Sequence, residues 1–523
     1  MAESPARRSF FNRFLDVVER GGNKLPDPVT LFLILIGVVM LVSLLASALG
    51  LSAIHPGTGE SIDAVSLFSS DNIQRLFVEM PQTFAYFPPL GMVLLVMLGI
   101  GVADKTGFIA AALRASVSNV PPFLLSAAVV LAGLMSSLAV DAGYVVVIPL
   151  GAVLFHGAGR HPLAGLAAAF AGVSGGFSAN LLLTSLDPLL ASFTEPAAQI
   201  LDPTYIVPAT ANYYLMIALV PVYVAVGVFV TDRILEPRLG AYEPDEGLDL
   251  ETGDGHRLTR LERKGLLWAG LALLLTIALA SLLVIPPGAP LRGADGGLGP
   301  FYSSIVALML FFFFIPGLVY GIVTKQIQSD KQVVKMTAES MSDMGLYIVL
   351  AFAAAHFIAL FNWSNLGSIV AISGASGLQA IGFTGLPLVI GFVIVTGFVN
   401  LFVGSASAKW AVLAPIFVPM LMLLGFSPEL TQAAYRVGDS FTNIITPLLP
   451  YFPLVIVFAQ KYVREMGIGT LISVMLPYSI LFGLFSTLTL VLWIAFGLPL
   501  GPETPLGYDI GAMPVDTGAT STP

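Results

Sequence analysis

Cysteine is absent from all 523 residues, which excludes disulfides, thiol catalysis and cysteine-ligated metal. Charge is scarce: Asp, Glu, Lys and Arg make up 11% of the chain, where a soluble protein carries about a quarter. The five histidines are scattered and no HExxH pattern occurs, so the common zinc-hydrolase arrangement is missing. The net charge of −9 argues against nucleic acid as a partner, since that needs a basic surface. Hydrophobic residues fill the space these absences leave, at 56% with a mean hydropathy of +0.89. Length alone would imply about three soluble domains, but this composition must meet lipid. The chain reads as an all-α polytopic membrane protein.

Apolar stretches of membrane-spanning length are expected at about 28–50, 87–103, 212–231, 265–286, 304–324, 346–361 and 470–497. Two further apolar regions, about 120–195 and 385–460, are too long for one helix and contain Gly, Pro, Ser and Asn. The first apolar run is long and lacks a small-residue cleavage site, so no cleavable signal peptide is evident. Lysine and arginine set the orientation. They cluster in the segment 1–27 (Arg7, Arg8, Arg13, Arg20, Lys24), in the loop 232–264, and at Lys325, Lys331, Lys335, Lys105, Arg114, Arg160, Lys461 and Arg464. The opposite side carries Arg75 and Arg292, and only Lys409 and Arg436 lie inside apolar regions. This partition places the amino terminus in the cytoplasm. It also leaves one net crossing within each long region, hence nine transmembrane helices plus two re-entrant hairpins.

The two long regions match at a constant offset of 266 residues. Pro121 falls on Pro387, Pro149 on Pro415, Pro162 on Pro428, Gly172 on Gly438 and Ser174 on Ser440. The expected layout is an inverted-topology repeat. Its first half, 28–231, has an inward hairpin (about 120–157) and an interrupted helix (about 162–195). Its second half, 265–497, has an outward hairpin (about 385–424) and an interrupted helix (about 428–462), followed by a polar tail, 498–523. Candidate hairpin tips are Ser136–Gly143, which holds Asp141, and Gly404–Trp410. The interruptions are expected at Gly172–Gly176 with Asn180 and Asp187-Pro188, and at Gly438-Asp439-Ser440 with Asn443 and the prolines 447, 450 and 453. Non-helical backbone at membrane depth survives only where protein or a wet cavity satisfies its polar groups. Freed carbonyls, hydroxyls and a carboxylate form an oxygen cage for a hard cation, whereas half-helix amino termini favour anions.

The segments GSASAKWAVLAPIFVPM (404–420) and AAYRVGDSFTNIITPLLPYFP (433–453) resemble the signature of the p-aminobenzoyl-glutamate transporter family, the AbgT/MtrF group. The resemblance extends through PDPVTLF (26–32) and SANLLLTSLDPLL (178–190) and covers nearly the whole chain. It implies a homodimer in the bacterial inner membrane. It also implies cation-coupled, alternating-access transport of p-aminobenzoyl-glutamate, with export of sulfonamide antimetabolites by some members. No cofactor is expected beyond sodium or a proton as coupling ion. The family's functional positions carry over as Asp187, Ser407, Trp410, Pro428, Arg436, Asp439 and Pro447, with Asn400 and Asp439 near a sodium site.

Each candidate has a plainer alternative. A charge within a span costs about 3 kcal/mol or more and faces a partner or a cavity. Arg436 suits a glutamyl carboxylate, or pairs with Asp439 one turn on. Asp439 is a cation or proton ligand, or merely that counter-ion. Asp187 binds substrate, relays protons or binds a cation, or caps a helix end. Lys409 attracts an anionic substrate, or snorkels to the outer surface. Trp410 stacks on an aromatic ring, or belongs to an interfacial belt. Asn400, Asn180 and Asn443 are ion ligands, or helix-to-helix hydrogen-bond partners. Ser407 lines the substrate site, while Pro428, Pro447, Gly438 and Gly172 serve as gating breaks. Two rivals stand beside this reading. One is a carrier of another dicarboxylate. The other is an intramembrane serine protease, from Gly172-Val173-Ser174-Gly175 with His356 as base.

Overall fold

A computed structural model describes residues 28–54, 59–117, 120–138, 143–242, 258–294 and 296–509. The basic segment 1–27, Asp141 at the expected first hairpin tip, residues 243–257 of the loop expected in the cytoplasm and residues 510–523 of the tail lie outside the described residues.

The described chain is almost wholly helical. It opens with α1 (Pro28–Ala48) and a short antiparallel pair, β1 (Ser52–Ile54) and β2 (Ser61–Asp63), then α2 (Ser70–Ala85) and α3 (Pro88–Lys105). Next come α4 (Phe108–Val117), α5 (Leu125–Met135), α6 (Ile148–Gly157), α7 (Pro162–Phe170), α8 (Leu186–Ala198), α9 (Tyr213–Phe229) and α10 (Glu236–Leu239). The remainder holds α11 (Arg260–Leu282), α12 (Gly299–Val323), α13 (Asp330–Asp343), α14 (Gly345–Trp363) and α15 (Leu366–Ala380). It closes with α16 (Gly385–Asn400), α17 (Ala406–Met422), α18 (Pro428–Thr442), α19 (Phe452–Gln460) and α20 (Ile468–Ala495).

Among the described residues, seven helices are long and apolar enough to cross a membrane. They coincide with the seven apolar runs, because unbroken Leu, Ile, Val and Phe leave the backbone no partner but itself in lipid. Their outward faces confirm the solvent: Leu41, Leu45, Leu267, Leu274 and Leu484 are all exposed. In water such a surface would aggregate. The helix α11 starts on a capping box, with the Thr259 hydroxyl accepting from Glu262 N at 3.1 Å and Glu262 Oε2 accepting from Thr259 N at 2.7 Å. The helices α3, α11 and α12 pack together as one group.

The two long regions break as short pieces. The helices α16 and α17, 16 and 17 residues long, reach only about 25 Å at ~1.5 Å per residue, short of an about 30 Å hydrocarbon core. They flank a non-helical tip at 401–405. In the other region α5 ends in a 3₁₀ turn at Ser136–Leu138, and the chain resumes as a wide turn, Gly143–Val147, leading into α6. Both α7 and α18 start at a proline, Pro162 and Pro428, behind side chains that cap the first turn.

The interruptions fall later than the glycines implied. Past α7 the helix continues through a wide turn at Ala171–Gly175 and opens only at 176–185. Gly438 and Asp439 lie within α18, and the break follows at 443–451, where Pro447 and Pro450 sit. The glycines serve close approach instead. A Cβ at Gly172 would stand 3.0 Å from Gly133 Cα on α5, and one at Gly438 would stand 3.0 Å from Thr396 Cβ on α16. Besides the short β-pair and α10, four helices have no counterpart in the sequence reading: α2, α4, α13 and α15. The first is amphipathic and capped by the Ser69 hydroxyl.

Candidate functional site

The helix α18 is unusual in composition and position. Its sequence PELTQAAYRVGDSFT has one polar face, with Glu429, Gln432, Arg436, Asp439 and Ser440, opposite an apolar one, yet every residue except Phe441 is buried. A buried polar helix needs partners for each group, and the partners define the site.

Arg436 does not pair with Asp439. Its Nη1 lies 2.5 Å from Asp187 Oδ1, joining α18 to the first turn of α8, with side chains 4% and 1% exposed. The other Asp187 oxygen accepts from Thr184 N at 2.6 Å and Thr184 Oγ1 at 2.9 Å, so the same carboxylate also organises the entry to α8. Arg436 Nε is buried and has no hydrogen-bond partner among the described residues. The carbonyl of Arg436 is held by the hydroxyls of Ser178 at 2.6 Å and Ser440 at 2.7 Å.

Asp439 pairs instead with Lys409, each side chain 1% exposed. Lys409 is therefore buried in the first turn of α17 rather than snorkelling outward, and the tip itself precedes it at 401–405. Its ammonium also meets Asn400 Oδ1. The Asn400 amide nitrogen lies 2.7 Å from the Asp439 carbonyl, 2.8 Å from Thr442 Oγ1 and 2.7 Å from Asn443 Oδ1. Asn443 reaches Ser174 O at 3.4 Å, and Asn180 bonds to Leu134 O at 3.1 Å and accepts from Leu182 N at 2.9 Å. Asn400 and Asp439 supply oxygen donors at the C-terminal ends of two helices, where the backbone dipoles favour a cation. That chemistry suits sodium, and the Lys409 ammonium stands on the same oxygens.

Trp410 is fully buried, which removes it from any interfacial belt. Its ring stacks on Tyr435 at 4.4 Å, and Nε1 donates to Thr194 Oγ1 at 2.9 Å. Thr194 donates to Gln432 Oε1 at 2.6 Å, and Gln432 donates to Asn212 Oδ1 at 2.9 Å. Ser407 is half-buried, with its hydroxyl 3.3 Å from Ser405 Oγ, the cap of α17. Pro428 is buried at the start of α18, and Pro447 is half-buried in the break beyond it.

Sequence reasoning missed Ser178, Thr184, Thr194, Gln432 and Tyr435. It also missed Glu429, a buried carboxylate that accepts from Tyr205 OH at 2.9 Å. For Glu429, Gln432 and Tyr435 the available signal was the fully polar face of α18 between two apolar runs. The protease reading finds no geometry. His356 Nδ1 engages the Phe352 carbonyl at 2.7 Å, and its Nε2 has no partner among the described residues.

A largely apolar cavity of about 820 Å³ lies between α4, α5, α11 and α12. Leu138 at the end of the first hairpin arm and Leu182-Leu183 in the first break line its inner wall.

Membrane-length apolar helices, two broken-helix regions and buried cations where the breaks meet have the build of an integral membrane transporter. Comparison with known proteins agrees, since the relatives found are transporters rather than enzymes. The chain belongs to the AbgT transporter family, whose model matches residues 13–508. It is 38% identical over 488 residues to the p-aminobenzoyl-glutamate transport protein of Escherichia coli strain K12, covering 93% of this chain and 95% of that one. Its structure is similar to that of MtrF of Neisseria gonorrhoeae, one of a class of antimetabolite efflux pumps, with a TM-score of 0.89, 46% identity and coverage of 94% and 100%. It is also similar to the Alcanivorax borkumensis YdaH transporter, which has an unusual topology, with a TM-score of 0.87, 45% identity and coverage of 91% and 100%.

Proposed function

We propose that this protein is a cation-coupled secondary transporter of p-aminobenzoyl-glutamate or a closely related aromatic carboxylate, working by alternating access. The observation that carries the reading is the unpartnered, buried Nε–H of Arg436, beside an Nη1 already turned to Asp187. A guanidinium held by one edge keeps its remaining donors for a second carboxylate, and an arginine fork binds that group with defined geometry. The relatives' names supply the substrate class: an aromatic ring bearing a glutamyl group. The apolar cavity lined by Leu138 and Leu182-Leu183 suits the ring, its volume falling within the about 300–1,000 Å³ typical of small-molecule sites.

In this reading the substrate carboxylate competes with Asp187 for Arg436. Weakening that cross-link loosens α18 from α8, one of several contacts between the two halves of the chain. Lys409 and Asp439 hold the tip of the second hairpin against α18, and Asn400 with Asp439 would hold the coupling cation. The protein acts as a homodimer in the bacterial inner membrane with its amino terminus inside, and the likeness to MtrF extends the substrate range to exported sulfonamide antimetabolites.

The test is accumulation of labelled p-aminobenzoyl-glutamate in proteoliposomes, with sodium and proton gradients imposed separately. Accumulation under one gradient that unlabelled substrate abolishes and simple dicarboxylates do not is the expected result. No accumulation under either gradient rejects the reading.

A further inference from the structure

The two buried ion pairs are not equivalent. Asp187 has two hydrogen bonds from Thr184 as well as its arginine, whereas the Asp439 carboxylate meets the Lys409 ammonium and the Tyr435 hydroxyl. Lys409 is the one charge offset Asp439 has among the described residues. A buried carboxylate that depends on one cation for its neutralisation must find another whenever that cation leaves.

What surrounds the ammonium is built for a monovalent cation. Asn400 is the last residue of α16, and Asp439 to Asn443 form the final turn of α18, so two helix C-termini converge there. Their unsatisfied carbonyls carry partial negative charge. The side-chain oxygens of Asn400, Asp439, Thr442 and Asn443 gather within one hydrogen-bonded cluster. The lysine arrives on a flexible four-carbon stem from the first turn of α17, directly after the non-helical tip. Movement of that tip can withdraw it without unfolding a helix.

We propose that Lys409 is a tethered cation that competes with sodium for the Asn400–Asp439 oxygens, so that the ammonium and the ion occupy the site in turn and never together. The exchange conserves charge: one positive unit enters as another is withdrawn toward the hairpin tip. This deepens the cation-coupled reading above, but it is tested on purified protein by ion binding, so transport can fail while the competition holds, and the reverse.

The experiment titrates sodium chloride against the thermal unfolding midpoint of the full-length protein, with choline chloride keeping ionic strength constant. Wild type is compared with Lys409→Met and the more conservative Lys409→Gln. The sodium concentration giving half the maximal stabilisation is expected to fall at least about tenfold when the ammonium is removed. Equal half-saturation in wild type and variants overturns the proposal, as does the lack of any saturable, sodium-specific shift in all three. Should neither variant fold, labelling of wild-type Lys409 with an amine-reactive reagent decides. Labelling low in choline and several-fold higher in saturating sodium supports competition; unchanged labelling refutes it.

Discussion

Arg436 and Asp187 meet at 2.5 Å across 249 residues of sequence, joining the polar helix of the second half to the break of the first. Because both groups are buried, deleting one partner leaves an uncompensated charge, at a cost of about 3–5 kcal/mol. Arg436→Ala is therefore expected to lose transport and to lower the unfolding midpoint markedly. The double variant Arg436→Met with Asp187→Leu should regain much of that stability but none of the transport. Uptake by the double variant at the wild-type rate would remove this pair from the substrate path.

Trp410 holds Thr194 by its indole N–H while its face lies on Tyr435. Trp410→Phe keeps an aromatic face and deletes the donor, which should cost about 1 kcal/mol. Thr194→Val should cost a similar amount or more, because it strands Gln432 Oε1 and leaves the Trp410 donor only its longer bond to the Leu190 carbonyl. The two losses should fall short of additive in the double variant, as expected for residues sharing a bond. Thermal unfolding of the four proteins measures this, and strict additivity would show the bond to be unimportant.

At Gly438 the helices α18 and α16 approach too closely for a side chain. Gly438→Ala should destabilise by about 1–3 kcal/mol through overpacking. Gly270 on α11 has nothing within 4 Å of its would-be Cβ, so Gly270→Ala should be neutral or slightly stabilising. The pair of midpoints, compared in one detergent, separates a packing requirement from general intolerance of glycine replacement.

His161, in the turn before α7, accepts Leu163 N at Nδ1 over 3.2 Å. Burial holds its imidazole below the ordinary value of 6.5, while the nearby Glu236 pulls the other way. The folded protein prefers the neutral ring, so its contribution is complete above about pH 6.5 and declines as acid protonates the unfolded chain first. The wild-type midpoint should fall on acidification below that point, and the fall should be shallower in His161→Asn, which can still cap the helix. Identical acid sensitivity in both proteins would assign the loss to other groups.

Much of this fold is legible from residue order. Spans follow from uninterrupted apolar runs, and the broken regions announce themselves through proline and small polar residues between such runs. The residues of the junction were legible too, since a charge in a span has little reason to be there except function or pairing. Which charge meets which was not. Spacing along one helix favours Arg436 with Asp439, and only the packing of α8 and α17 against α18 reverses that choice. Ser178, Thr184 and Thr194 left no trace, because serine and threonine also sit harmlessly in membrane helices by bonding back to their own backbone. The glycines misled on break position for a related reason: the residue type that permits unwinding also permits backbone contact.

Thr446, in the break after α18, donates its hydroxyl to the carbonyl of Leu401 at 3.0 Å, in the tip after α16. Two stretches of chain that could not survive alone in lipid are thereby stitched to each other. Rupture at one bares a peptide carbonyl at the other, so the two loops keep or lose this shared partner together.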